Sequence, residues 1–330
     1  MSSARNRALE NSRQQLGLVL IIAVVAAGFT FQTLRFADVE NLRNVLLQAS
    51  ATTVAAIGMT FVLAARGIDL SVGSIANLTM ALAVALGGTP IPAELSTATT
   101  GLVYPVALIA GIALGILNAA LVNLSGVSAL IITLGTLTLY RGVALHLTSA
   151  SLIPLTGSAL WFARTEVFGI DLPIWCMGFA TLLGWYVLAR MPIGRLVLAV
   201  GGSPRSATET GIAVWRVRVF VFALSGFCAA VSGLISVGRV GVLNSDLGFG
   251  FEFTVITAVA LGGTSLFGGR ATVVGTVLGA LLLTVIQNGL NMIGADPYIY
   301  DVVRGGILLG AVSIDAFVRG RRPLMVQVSD

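Results

Sequence analysis

RMPIGRLVLAVGGSPRSATETGIAVWRVR, residues 190–218, is a polar and positive interruption in a chain that is otherwise almost all apolar. It carries five arginines, Arg190, Arg195, Arg205, Arg216 and Arg218, against one carboxylate, Glu209. Long apolar segments flank it on both sides. An arginine cluster between two membrane-length segments stays on the cytoplasmic side. The stretch therefore points both to a fold class, a helical membrane protein, and to an orientation. Its middle, SPRSATETGI, can form a short helix with nothing apolar to hide in lipid. Such a helix suits a docking surface for a cytoplasmic partner, and it equally suits a solvated connector.

Composition agrees with this reading. The 330 residues are 56% hydrophobic and only 10% charged, and the mean hydropathy is +0.97. A soluble domain carries about 25% charge, so the chain reads as an all-α polytopic membrane protein. The polar N-tail and the lack of an A-x-A site after the first apolar run argue against a cleavable signal. Every one of the nineteen positive residues is arginine. Without lysine there is no Walker A phosphate loop and no Schiff-base chemistry. His146 is the single histidine, and Cys176 and Cys228 lie in apolar runs as small hydrophobes. That set is too sparse for a zinc site, which takes about three or four ligands. It also offers no nucleophile–base pair for an intramembrane enzyme. The pI near 9.9 fits arginines along the inner membrane face better than nucleic-acid binding.

Ten segments approach the roughly 20 apolar residues a spanning helix needs: 15–34, 44–65, 70–88, 101–122, 127–148, 172–189, 214–236, 252–267, 272–293 and 299–317. The eighth is short and the third begins at a polar turn, so nine is the alternative count. With the N-tail inside, thirteen arginines fall on the cytoplasmic side and four, Arg35, Arg43, Arg164 and Arg239, fall outside. The reverse orientation would invert that bias. The expected organisation is a cytoplasmic N-tail over 1–14, one transmembrane domain over 15–318 with the basic loop at about 190–213, and a cytoplasmic C-tail over 319–330. The longest outer segment, 149–171, has room for a short interfacial helix around Trp161.

Gly111 and Gly115, and again Gly275 and Gly279, stand four apart, a spacing that lets helix backbones approach closely in lipid. Two glycine-rich breaks, ARGIDLSVGS (65–74) and ALGGTSLFGGRAT (260–272), read as tight helix–turn–helix connections. In the first, Gly67 can end one helix, Asp69 or Ser71 can cap the next, and Arg66 can pair with Asp69. The second invites a phosphate-loop reading, which fails because it has no lysine and follows no strand. Arg141, inside the fifth span, can snorkel outward and anchor at the interface with Tyr140. Asp301 with Arg304 and Asp315 with Arg319 have the spacing of local helix pairs. No carboxylate is then left clearly unpaired in mid-membrane, which weighs against a proton- or sodium-driven transporter. The uncharged polar residues within spans are Asn77, Thr79, Asn118, Thr133, Thr136, Gln287, Asn288 and Asn291. They suit either a pathway for a polar solute or hydrogen bonding between helices.

Five motifs occur in order: GIDLSVGS (67–74), LIITLGTLTLYRG (130–142), VLAVGGSPRSATETGI (197–212), FALSGFCAAVSGLI (222–235) and ALGGTSLFGGRATVVGTVLGALLL (260–283). Together, over roughly residues 40–320, they resemble the membrane permease subunits of bacterial ABC importers for monosaccharides of the ribose, xylose, arabinose and galactose type. The resemblance implies a type II importer fold of about ten spans in the bacterial inner membrane. Two permeases, identical or sister chains, would stand side by side with the pathway at their interface. ATP and magnesium would be held by a separate cytoplasmic subunit, and an extracytoplasmic sugar-binding protein would deliver the solute. The chain would then translocate a monosaccharide by alternating access. The rival reading is an ATP-independent transporter or facilitator. The resemblance also assigns the basic loop as a coupling helix for the ATPase, carried by Ser203, Arg205, Ser206, Ala207, Thr208, Glu209, Thr210 and Gly211. At its centre this chain has ATET where members of that family often have small residues and an arginine.

Overall fold

Inside a bilayer no water is available to backbone polar groups, so a chain this apolar satisfies them within helices. The computed structural model of the chain describes residues 2–87, 102–244 and 246–320. Its helices are α1 (Ser2–Gln32), α2 (Val39–Ala64), α3 (Val72–Gly87), α4 (Val103–Ser125), α5 (Ala129–Thr148), α6 (Trp161–Arg164), α7 (Leu172–Arg190), α8 (Pro192–Gly202), α9 (Pro204–Glu209), α10 (Val214–Val240), α11 (Phe251–Leu261), α12 (Val273–Met292) and α13 (Pro297–Gly320). Four strands of two residues each make two small antiparallel pairs. Ile153–Pro154 (β1) pairs with Val242–Leu243 (β4), and Glu166–Val167 (β2) pairs with Ile170–Asp171 (β3).

Each of the ten expected spans falls on a helix, but the spans are not equal. Among the described residues seven helices are long and apolar enough to cross a membrane, namely α1 from Arg13, α2, α4, α5, α7, α10 and α12. Helix α3 has 16 residues and α11 has 11. At about 1.5 Å per residue both fall short of a hydrocarbon core of about 30 Å. Helix α13 has the length but carries Asp301, Arg304 and Asp315. Helix α1 starts at Ser2, so residues 2–14 prolong the first span as helix.

Among the membrane-length helices burial is highest in two. The most apolar window of α2 is 83% buried and that of α10 is 67%, against 33% or less for α1, α4, α5 and α7. So α2 and α10, together with the almost wholly buried α3 and the largely buried α11, form the centre, and α1, α4, α5 and α7 turn apolar side chains outward. Glycine makes the close contacts. A Cβ on Gly111 or Gly115 of α4 would run into the backbone oxygens of Gly226 and Phe222 on α10. One on Gly275 or Gly279 of α12 would run into those of Gly262 and Ala258. The packing role expected for both glycine pairs is therefore observed.

The first break departs from its expected chemistry. Helix α2 ends with Gly67 N–H donating to Val62 O and Arg66 N–H to Leu63 O, both at 2.9 Å. This is a Schellman arrangement in which Arg66, not Gly67, takes the left-handed conformation, at φ 64°. Arg66 is exposed and makes no ion pair with Asp69, which turns inward instead. The chain then enters the bundle, and α3 begins inside it. There the backbone of Gly73 abuts the carbonyl of Gly248, in the turn just before α11. Both short helices thus start in the interior from segments that lead into it.

Tyr140 also differs from expectation. It is 2% exposed and donates its hydroxyl to Asn118 Oδ1 at 2.9 Å, so it is a core residue and not an interfacial anchor. Its neighbour Arg141 donates to Gly248 O at 3.2 Å and lies 4.8 Å above the Phe249 ring. The expected short helix near Trp161 is α6. It is held by Tyr104, whose hydroxyl donates to Ala159 O at 3.0 Å and accepts from Phe162 N–H at 3.1 Å.

Candidate functional site

The arginine-rich end of the molecule is built around α8 and α9. Proline opens α9, and Ser203 caps it by accepting the Ser206 N–H at 3.2 Å. The other end is closed as tightly. Gly211 N–H donates to Thr208 O and Ile212 N–H to Ala207 O, each at 2.9 Å. This closure needs a left-handed residue, which Gly211 supplies at φ 83°. The Thr208 and Thr210 hydroxyls donate to the carbonyls one turn back. Ala207 is buried and seats the helix. Arg205, Ser206, Thr208, Glu209, Thr210 and Gly211 are exposed, and Ser203 is half-buried. Arg205 Nε meets Glu209 Oε1 at 3.2 Å across one turn. The eight residues assigned to this loop therefore form one short helix, fixed at both ends, with a polar outer face.

The knob is rooted in both glycine-rich breaks at once. Gly201, near the end of α8, lies against the carbonyl of Ala64, the last residue of α2. That same carbonyl accepts the Gly269 N–H of the second break at 3.0 Å. A Cβ on Gly201 would overlap the Ala64 oxygen and stand 2.6 Å from Gly269 N. Three segments remote in sequence thus share one backbone contact, which only glycine permits. The second break is itself held by Thr272, which caps α12 by accepting Gly275 N–H at 3.2 Å, and by Asp315. Asp315 accepts from the Ser265 hydroxyl at 2.9 Å and approaches Arg270 at 3.5 Å. The side chain of Arg319, its expected partner, lies outside the described residues.

The polar residues proposed for a pathway are scattered. Asn77, Thr79, Asn118, Thr133 and Thr136 are buried. Thr133 ties down the first break, accepting from Leu70 N–H at 3.1 Å and donating to Ile68 O at 3.0 Å. Thr79 and Thr136 donate to carbonyls of their own helices. Asn288 exchanges two hydrogen bonds with Asn41, at 3.0 and 3.1 Å. Asn291 is exposed. Of the set, only Gln287 lines the polar cavity described below.

Two buried carboxylates overturn the expectation that none is unpaired. Asp69 is fully buried. It accepts from Ser71 N–H at 3.0 Å, from the Ser71 hydroxyl at 2.6 Å and from the Ser225 hydroxyl at 2.8 Å. Asn118 extends the network by donating to Ser71 Oγ at 2.8 Å. These four residues join the first break to α4 and α10. Glu252, in the first turn of α11, is 4% exposed and its Oε2 has no hydrogen-bond partner among the described residues. It lies against Gly73 at the start of α3, where a helix dipole favours negative charge, and within electrostatic reach of Arg141 and Arg304.

At the end opposite the knob a cavity of about 360 Å³ opens between α2, α3, α10, α11, α12 and α13. Gln48 and Thr52 come from α2, Ser232, Ser236 and Arg239 from α10, and Gln287 from α12. Tyr300, Asp301 and Arg304 come from α13. The expected Asp301–Arg304 pair is present at 2.8 Å. Arg304 also donates to Gly250 O at 2.9 Å and Thr254 Oγ1 at 2.8 Å. Sequence reading passed over most of this lining. The available signal was spacing: Gln48 and Thr52, and Ser232 and Ser236, are polar pairs four apart in apolar helices, hence on one face.

Comparison with known proteins fits these features. The family described as branched-chain amino acid transport system / permease component matches residues 41–312. The ribose import permease protein RbsC of Haemophilus influenzae is 37% identical over 317 residues, covering 94% of this chain and 95% of that protein. The D-allose transport system permease protein AlsC of Escherichia coli is 33% identical, covering 92% and 91%. The galactose/methyl galactoside import permease protein MglC of Escherichia coli is 28% identical, covering 98% and 100%. No solved structure matches the chain. With both family and relatives matched over most of its length, the chain belongs to this family of transport permeases, within the group of sugar ABC importer permeases.

Proposed function

We propose that this chain is the transmembrane subunit of an ATP-driven importer and moves a monosaccharide across the bacterial inner membrane by alternating access. The relatives' names make ribose the first solute to try. The arginine-rich end with α9 faces the cytoplasm, as do both termini. A separate ATP-binding subunit holds ATP and magnesium, a sugar-binding protein delivers the solute from outside, and a second permease completes the pathway. The chain contributes no catalytic group of its own.

The observation that carries this reading is the root of the knob. Gly201 presses on Ala64, and Ala64 is bonded to Gly269. A pull on α9 is therefore delivered to the end of α2 and to both breaks together. Backbone contacts of this kind yield in steps rather than smoothly. When the ATPase draws two such knobs together, the breaks and the short helices α3 and α11 shift with them.

The double change Arg205→Glu with Glu209→Arg tests the docking. It keeps an oppositely charged pair on α9 while reversing the surface presented to the partner. Co-purification with the ATPase in mild detergent and ATP-driven sugar uptake in proteoliposomes are the readouts. Both should fall on the order of tenfold or more. Unchanged uptake would remove α9 from the coupling role, and uptake by the permease alone in liposomes would replace the importer by a facilitator.

A further inference from the structure

The geometry points to a monosaccharide-binding site inside each single permease subunit, in the cavity between α2, α10 and α13, where the solute is held before it passes inward. This rests on the reading of the chain as a sugar importer subunit and adds a location and a chemistry to it. It also differs from a pathway formed only between two permeases.

Size is the first argument. About 360 Å³ falls in the range of small-ligand pockets, roughly 300–1,000 Å³. The chemistry of the wall is the second. A sugar hydroxyl both donates and accepts, so it is matched by groups that do both. Gln48 and Gln287 supply amides, and Ser232 and Ser236 supply hydroxyls. Among the described residues none of these four has its side chain committed to a hydrogen bond. The Tyr300 hydroxyl is buried beside Thr254 with no hydrogen bond of good geometry among the described residues, and Tyr300 and Phe251 add aromatic carbon to the lining, a surface suited to the C–H side of a sugar. Of the two arginines on the wall one is spent, whereas Arg239, exposed at the end of α10, has no ion pair among the described residues. Arg304 is bonded to Asp301, Gly250 O and Thr254. The amides, hydroxyls and neutralised ion pair suit a neutral polyol, while Arg239 would favour an anion, so gluconate is the deciding competitor.

The third argument is the closed floor. Ala76 and Gly233 both line the cavity, and a Cβ on Gly233 would stand 2.7 Å from Ala76 O. Helices α3 and α10 therefore touch backbone to backbone beneath the site. A solute in the cavity advances only when these helices part. That is the movement expected of the α2–α3 break when α9 is pulled.

The test uses the permease–ATPase complex in lipid nanodiscs with no sugar-binding protein. Saturable binding of radiolabelled D-ribose and D-galactose is measured first, and then the labelling rate of Ser236→Cys by an aqueous maleimide, in a C176A/C228A background. One or both sugars should bind, Gln48→Leu should weaken that binding about fivefold or more, and the bound sugar should slow maleimide labelling several-fold. D-gluconate should do neither. If the cysteine-free background does not fold, the binding measurement on the unaltered chain and on Gln48→Leu decides alone. Absence of saturable binding, binding indifferent to Gln48→Leu, or preference for gluconate overturns the site. ATP-driven uptake by the complete wild-type importer is measured alongside. Uptake without binding overturns the site and leaves the importer reading standing, whereas binding without ATP-driven uptake supports the site and sinks that reading.

Discussion

Asp69 is held by three donors and no cation. Its carboxylate satisfies a backbone N–H and two hydroxyls where the bulk solvent does not reach. Replacing it by alanine strands all three, and each buried orphan costs about 1–3 kcal/mol. Asp69→Ala should therefore destabilise the protein by on the order of 3 kcal/mol or more, read as a lower unfolding temperature in detergent. Asp69→Asn keeps one acceptor and should lose less. Equal loss in the two variants would show that the network is not what pins the break. The sequence suggested that Asp69 or Ser71 caps the next helix; the bond from the Ser71 N–H to Asp69 lies in the turn just ahead of α3. The sequence could not suggest Ser225, which lies 156 positions away. Tyr140 was unreadable for the same reason. An aromatic beside an arginine looks interfacial until the fold sets Asn118 against its hydroxyl. Gly111 and Gly115 were legible because their spacing alone encodes the close contact.

At the scale of elements, the two ends of α9 were written in the sequence. Ser203, Pro204 and Gly211 are cap residues at cap positions. The half-length of α3 and α11 was written only in part: the eighth segment reads as short and the third as starting at a polar turn, yet both still count as spans. An apolarity window runs through a break without registering it, since the residues of the turn at 262–271 are themselves partly apolar. The root of α8 supplies a prediction at this scale. Gly201→Ala must push α8 away from α2, because the atoms it meets are backbone. ATPase co-purification should survive, since α9 is untouched, while coupled uptake falls. Loss of both together would mean that the variant damages the knob itself. The β2–β3 pair supplies another. Arg43 on α2 bonds Asp171 at 2.6 Å and also Glu166, strapping the hairpin to the helix. The Arg43 guanidinium holds the Asp171 carboxyl below the usual carboxylate range. A depressed folded pKa gives stability that is fully present above the unfolded value, about 3.9. It is lost as pH falls through the folded value. Thermal unfolding of wild type should thus show an acid-side loss that Arg43→Gln lacks. Parallel pH profiles would count against the strap.

For the whole molecule, burial falls from the α2–α10 centre to a rim whose apolar side chains need lipid or a second subunit. Leu134 on α5 is 51% exposed. Leu134→Arg, between the start and the middle of α5, should be opposed by up to about 2.5–3.5 kcal/mol, the cost at a helix centre, seen as reduced membrane insertion. An arginine that inserts without loss would mean that this face borders water. Helix α2 carries a further consequence. It is one unbroken run of 26 residues, about 39 Å long, with Gln48 at the cavity and Ala64 at the root of α9. The two ends are therefore states of a single body, and thermodynamic reciprocity governs them. Whatever factor solute at one end applies to ATPase affinity at the other, the ATPase must return to the solute. Signalling through this subunit cannot be made one-way by the protein alone; direction has to come from the irreversible step taken elsewhere.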